Sequence, residues 1–152
     1  MEISLATIED AAEIFQLQKL AYRSEGALYG DDNVLPLTEG LAETISDFHG
    51  KTILKAAADH HIWGSVRAHS AGRACSIGRL IVHPEKQGKG IGTRLLAAIE
   101  DRFPEVERYE LFTGTKSLGN LRLYHRLGYR PCKEMRINDR LTLVFLEKPG
   151  KT

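Results

Sequence analysis

The sequence predicts a mixed α+β fold: a twisted, mostly antiparallel sheet of about six to seven strands, with one parallel pair and about four flanking helices. Three observations carry this. Residues 76–103 read as strand, glycine turn and helix, and a further strand follows, which makes a βαβ crossover and so a parallel pair. Two strand-like runs, 52–58 and 62–69, flank Asp59-His60-His61, and Ala71-Gly72 turns into a third, which makes an antiparallel meander. Two last strands meet at Asn138-Asp139.

Taken in order, residues 2–6 alternate as a first strand, and Thr7 with Asp10 resembles a capping box that opens a helix. Ile8, Ala11, Ala12, Phe15 and Ala21 give that helix an apolar face, widened by Ile14 and Leu17. Residues 24–36 hold Gly26, Gly30, Asp31, Asp32, Asn33 and Pro36, so the helix is expected to stop there and a long loop to follow. Thr38 is expected to start a second helix, with Leu41, Ile45 and Phe48 on one side. Strands are expected at 52–58, 62–69 and 74–82; Pro84 ends the last, because proline cannot continue a ladder. Ile91, Leu95, Ile99 and Phe103 then recur at helical spacing until Pro104. A strand at 109–113, a helix at 117–127 closed by Gly128, and strands at 129–137 and 141–146 complete the chain.

With 152 residues, the chain is expected to be one domain, 1–152, with a sizeable core. Apolar residues make up 42% and charged ones 27%, and the formal net charge is +1, which points away from a general nucleic-acid or membrane surface. Cys75 and Cys132 are far apart and lack metal spacing, so they read as free thiols of a reducing compartment; Cys75 lies just before the key strand. The N-terminus lacks an apolar signal-peptide core, and no run approaches transmembrane length; the expected location is cytoplasmic. The six histidines show no zinc spacing, so no metal is expected, and Trp63 reads as core or hairpin packing.

The chemistry is concentrated in Gln87-Gly88-Lys89-Gly90-Ile91-Gly92-Thr93. Glycines let the backbone approach a ligand closely, and the helix that follows offers first-turn N–H groups with no internal partner, together with partial positive charge. Strand, glycine turn and helix in this order form a phosphate site. The bland alternative is a flexible turn. There is no Gly-Lys-Ser/Thr, and Gly-x-Gly-x-Gly differs from the dinucleotide pattern, so P-loop and dinucleotide readings are disfavoured. Lys86, Lys89 and Arg94 gather beside the turn and suit an anion.

Gln87-x-x-Gly90-x-Gly92 after an apolar strand resembles the acyl-CoA pyrophosphate loop of the GNAT N-acetyltransferases. Leu123-Tyr124-His125-Arg126-Leu127-Gly128-Tyr129 is similar to the second mark of that family, and Leu5 to Ala11 to its opening. The resemblance covers nearly the whole chain. It implies the GNAT fold, with the parallel strands splayed apart at their C-terminal ends, and acetyl-CoA as co-substrate without a metal. The pantetheine arm would enter the splay beside Leu80, Ile81 and Val82, and Gln87, Gly88, Lys89, Gly90, Ile91, Gly92 and Thr93 would hold the pyrophosphate. Many members place Asn seven residues before the tyrosine; here Ser117 stands there, and Asn120 is the nearest Asn, so both are carried as cofactor contacts.

Acetyl transfer needs a neutral amine close to the carbonyl, a stabilised carbonyl oxygen and a proton for the leaving thiolate. Tyr124 matches the family tyrosine near the sulfur and is the candidate general acid; the alternative is core packing beside Leu121 and Leu127. Where some members carry a glutamate base, this chain has Phe112, and Glu110 is two residues away, so the base is unassigned. The expected acceptor is a primary amine of a small molecule, a peptide or a protein, with neither nucleic acid nor membrane as a partner and a homodimer as an admissible assembly. Glu25, Asp31 and Asp32 read equally as an attractor for a cationic amine or as a solvated loop tip. A non-catalytic acyl-CoA-binding regulatory module is the alternative function.

Overall fold

The computed structural model describes residues 1–30 and 39–151. Seven strands form one mixed sheet: β1 (Glu2–Leu5), β2 (Thr52–Ala58), β3 (His61–Ala71), β4 (Ala74–Val82), β5 (Arg108–Gly114), β6 (Arg130–Arg136) and β7 (Thr142–Pro149), in the order β1-β2-β3-β4-β5-β7-β6. Every pairing is antiparallel except β4 with β5. Four α-helices are described: α1 (Ala11–Tyr29), α2 (Leu41–Gly50), α3 (Ile91–Asp101) and α4 (Leu118–Arg126).

Strand alternation sends neighbouring side chains to opposite faces, and each face finds a helical layer. On one face Leu54, Val66 and Ile77 pack with Leu95, Leu96 and Ile99 of α3 and with Tyr124 of α4. On the other, Ile53, Ile62 and Ile81 pack with Ile14 and Leu17 of α1, and Phe48 of α2 closes that cluster. Tyr129 in turn is locked into the first core: its hydroxyl donates to Glu100 Oε2 at 2.8 Å, and Lys148 Nζ donates to the same carboxylate at 2.9 Å. Burial and the adjacent Glu100 carboxylate both push the Tyr129 phenol well above its ordinary value. The second tyrosine of the motif is therefore a tie between α3 and the far strands.

The first helix departs from expectation. The Ser24 and Gly26 signals predict a stop, yet α1 continues to Tyr29. Gly26 is buried within it, and Tyr29, also buried, accepts from the Lys116 backbone N–H at 3.0 Å. Tertiary anchoring outweighs the weak helix propensity of glycine, about 1 kcal/mol. Gly30, at φ 62°, then caps the helix in the left-handed region. The second helix begins at Leu41; the proposed start at Thr38 and the acidic pair Asp31 and Asp32 lie outside the described residues. Asp10 does accept from the Thr7 N–H at 2.9 Å, as the capping pattern predicts.

Two irregularities of the sheet shape the site. β4 and β5 pair only from Ala74↔Arg108 to Ser76↔Glu110, so beyond Ser76 the two parallel strands part. Next to the opening, Ser65 pairs with Ile81 and Arg67 with Gly78, which leaves Arg79 and Leu80 of β4 opposite Val66 alone. This is a β-bulge, and Arg79 sits in it at φ 50°, a conformation that costs energy for any residue with a Cβ.

Candidate functional site

The C-terminal end of β4 leads through a short 3-10 turn (Pro84–Lys86) into the glycine turn and α3. Gly88 and Gly90 adopt φ 76° and φ 84°, and an added Cβ would meet nothing within 4 Å at either. Glycine is required here by backbone conformation, not by crowding. Gly90 is the N-cap, and the helix ladder starts with Arg94 N–H to Gly90 C=O at 3.1 Å. The N–H groups of Ile91, Gly92 and Thr93 precede that first bond and have no partner within the helix, at its positive end.

A cleft of about 620 Å³ opens at this point. Leu80, Ile81 and Val82 form one wall, and Gln87, Gly88, Gly90, Ile91, Gly92 and Thr93 the end of it. Ser117 and Asn120 line the opposite wall. The predicted set thus comes together except for Lys89, which is exposed and does not line the cleft. The basic side chains are also redistributed. Arg94 turns away to the Met1 carbonyl at 3.0 Å, and Lys86 lines the cleft with its ammonium 4.7 Å from the Trp63 ring centre. Trp63 packs beside the turn, edge-on to His83 at 5.1 Å. Arg122 and Arg126 of α4 line the cleft instead, with Arg126 held by Thr93 Oγ1 at 3.2 Å. Their signal in the sequence is helical spacing within α4, i and i+4, which places both on one face.

A second cavity of about 350 Å³ adjoins the first, and the two share Tyr22, Glu25, Leu80 and Asn120. Tyr124 lines this second cavity. It is 5% exposed, its ring packs 6.0 Å from that of Tyr129, and burial is the main cause that raises its phenol above the ordinary value, with Tyr22 and Glu25 adding to it. A phenol so placed keeps its proton at neutral pH.

Glu25 is the residue that sequence reading put in a loop. It projects from α1 and accepts from Ser117 Oγ at 2.6 Å; Ser117 Oγ lies 2.8 Å from Tyr29 Oη. Ser117 is buried and its hydroxyl is used inside the wall. Asn120 Nδ2 donates to Thr113 Oγ1 at 3.2 Å. Phe112 is 49% exposed and lines the second cavity, while Glu110 pairs with Arg108 at 2.6 Å and lines neither. Cys75 lies in the core at 0% exposure and lines neither cavity; burial, aided by Glu100, pushes its thiol up to about 12. Among the described residues no group of three metal-ligating side chains comes together, and no helix is long and apolar enough to cross a membrane.

Comparison with known proteins places these features. Residues 22–148 match the family model described as an acetyltransferase (GNAT) domain. The L-methionine sulfoximine/L-methionine sulfone acetyltransferase of Salmonella typhimurium is 26% identical over 147 residues, covering 89% of this chain and 83% of the relative. The UPF0157 protein YqkA of Bacillus subtilis is 26% identical over 133 residues, 88% of this chain, which spans only 38% of that relative. Among solved structures, the ribosomal-protein-S18-alanine N-acetyltransferase of Escherichia coli superposes with a TM-score of 0.82 at 14% identity, covering 99% of this chain and 94% of that one. YncA of Salmonella typhimurium, solved with acetyl-CoA, gives 0.79 at 19% identity, covering 100% and 95%. At these identities the superpositions speak for the fold.

Proposed function

This chain belongs to the GNAT acetyltransferase family, and on that premise we propose that it is an acetyl-CoA-dependent N-acetyltransferase that acylates a primary amine. One observation carries the reading most directly: the parting of β4 and β5 after Ser76, beside a glycine turn at the N-terminus of α3 and with a buried Tyr124 in the adjoining wall. The turn and the α3 N-terminus suit a pyrophosphate, and Arg122 and Arg126 add charge. The unpaired side of β4 beyond Ser76 suits an extended pantetheine arm that pairs as a strand does.

In this reading the acceptor nitrogen attacks the thioester carbonyl carbon from the second cavity. The N–C bond forms, the C–S bond breaks, and Tyr124 Oη gives its proton to the departing sulfur. Tyr124 regains a proton from the ammonium product of the attack, through solvent. The Salmonella sequence relative is by its name an acetyltransferase of amino-acid analogues, which supports the reaction type and leaves the acceptor to the pocket. Two unpaired cysteines, Cys75 and Cys132, support a reducing, cytoplasmic setting.

The test is calorimetric titration with acetyl-CoA followed by a thiol-release screen over amines. Binding with amine-dependent thiol release is the expected result. Binding without release on any amine would favour a regulatory acyl-CoA-binding module, and absence of binding would overturn both.

A further inference from the structure

We infer that the acceptor is an amine that also carries a carboxylate, an amino acid and not a polyamine or a protein amine, with its acid group held by the Arg67–Arg79 wall. This rests on the acetyltransferase reading above. Among the described residues, the charged side chains lining the second cavity are Lys51, Arg67 and Arg79 on the positive side and Glu25 on the negative. Their placement is polar. Glu25 also lines the cofactor cleft and so borders the place where the amine must react, whereas Lys51, Arg67 and Arg79 line the second cavity and not that cleft. A pocket with a carboxylate bordering the cofactor cleft and cations on its other lining matches a zwitterion.

The arginine wall is built to stay in place. Arg67 is 1% exposed; its Nη1 donates to Asp47 Oδ2 at 2.7 Å and its Nη2 to Gln18 Oε1 at 2.8 Å. Arg79 Nη2 donates to Glu39 Oε1 at 2.9 Å. Asp47 and Glu39 do not line the cavity and hold the guanidinium groups from behind. Among the described residues three cations meet these two carboxylates, which leaves an excess of positive charge. The Nε–H groups of Arg67 and Arg79 are both buried and have no hydrogen-bond acceptor among the described residues. Buried guanidinium donors without acceptors are rare, and a carboxylate is the partner whose geometry suits them. Arg79 is presented by the β4 bulge at φ 50°, and such a left-handed non-glycine residue beside a cavity marks a site where position outweighs strain.

The remaining walls suit the rest of an amino acid. Leu111, Phe112, Leu141 and Leu143 offer an apolar surface for a side chain. The volume of about 350 Å³ is that of a small-ligand pocket. A polyamine would bring its second ammonium toward Lys51 and Arg79, a like-charge contact.

The experiment compares acetyl transfer from acetyl-CoA to the free L-amino acids, to the matching L-amino-acid amides and to spermidine, with the N-acetyl product read by mass. The expected kcat/KM for the best free amino acids is at least tenfold above their amides, and Arg79→Leu removes that difference while acetyl-CoA affinity stays as in the parent. The comparison of acid with amide on the unaltered protein needs no variant, so a misfolded Arg79→Leu does not decide the matter. Amides or spermidine acetylated as fast as the acids, or no free amino acid acetylated at all, would overturn the inference while leaving acetyl-CoA binding intact. Loss of acetyl-CoA binding in the unaltered protein would overturn the transferase reading and this inference with it.

Discussion

Ser117 Oγ donates a 2.6 Å hydrogen bond to Glu25 Oε2, joining the N-cap of α4 to the C-terminal part of α1 across 92 residues of sequence. Tyr29 Oη lies 2.8 Å from the same hydroxyl and accepts from the Lys116 N–H. One serine thus ties the two helices that frame the clefts and fixes a carboxylate at their shared boundary. Ser117→Ala should lower unfolding free energy by about 1–3 kcal/mol, because it leaves a buried phenol and a carboxylate short of a partner. Urea denaturation measures this; an unchanged midpoint would show the tie to be dispensable.

Tyr124→Phe keeps the ring that packs beside Tyr129 and removes only the hydroxyl. Acetyl-CoA affinity should hold. Single-turnover acetyl transfer should slow at least tenfold, since general acid catalysis is worth about 10²–10⁴-fold. Single turnover is the right measurement because slow product release can hide the chemical step. A parent-like rate would leave Tyr124 as core packing.

Gly90→Ala tests the turn by conformation alone, since the new methyl group would meet no neighbouring atom. At φ 84° the residue should still resist, costing about 1–2 kcal/mol of stability in the left-handed region. Acetyl-CoA affinity should fall with it, because the donors of the α3 N-terminus are aimed by this backbone. Thermal melting with and without saturating acetyl-CoA reads both effects; equal ligand-induced shifts in parent and variant would separate the turn from the cofactor.

Burial by itself would raise Glu39, yet hydrogen bonds from Arg79 and Gln18, with the charges of Arg79 and Arg67, hold its carboxyl below its ordinary value of 4.5. A carboxyl depressed in the folded state stabilises fully above its unfolded value and loses that contribution as pH falls through the folded one. Unfolding free energy should therefore drop as pH is lowered below about 4.5, and Glu39→Gln should flatten this acid limb relative to the parent. Denaturant unfolding at a series of pH values is the check; parallel acid limbs would clear Glu39 of the effect.

Much of this protein is written in local pattern. The apolar run of β4, the alternating glycines and the spacing of Ile91, Leu95 and Ile99 announce strand, turn and helix, because each of these depends on neighbours a few residues apart. Gly88 and Gly90 are legible for the same reason: positive φ is a property of a single residue. Local signals fail where distant chain segments decide. Gly26 reads as a stop, and α1 continues because Tyr29 is anchored by Lys116 and Ser117 from the far side of the sheet. Lys89 and Arg94 look like the cofactor's cations, yet Arg122 and Arg126 line the cleft, since only the docking of α4 beside the turn brings them there. Glu25, Arg67 and Arg79 come from three separate elements and carry no shared motif; their common cavity exists because β4 and β5 part after Ser76 and the bulge turns Arg79 toward it. Periodicity specifies which face of an element is buried, but which charges meet across the resulting space is set by long-range pairing and packing of the whole sheet.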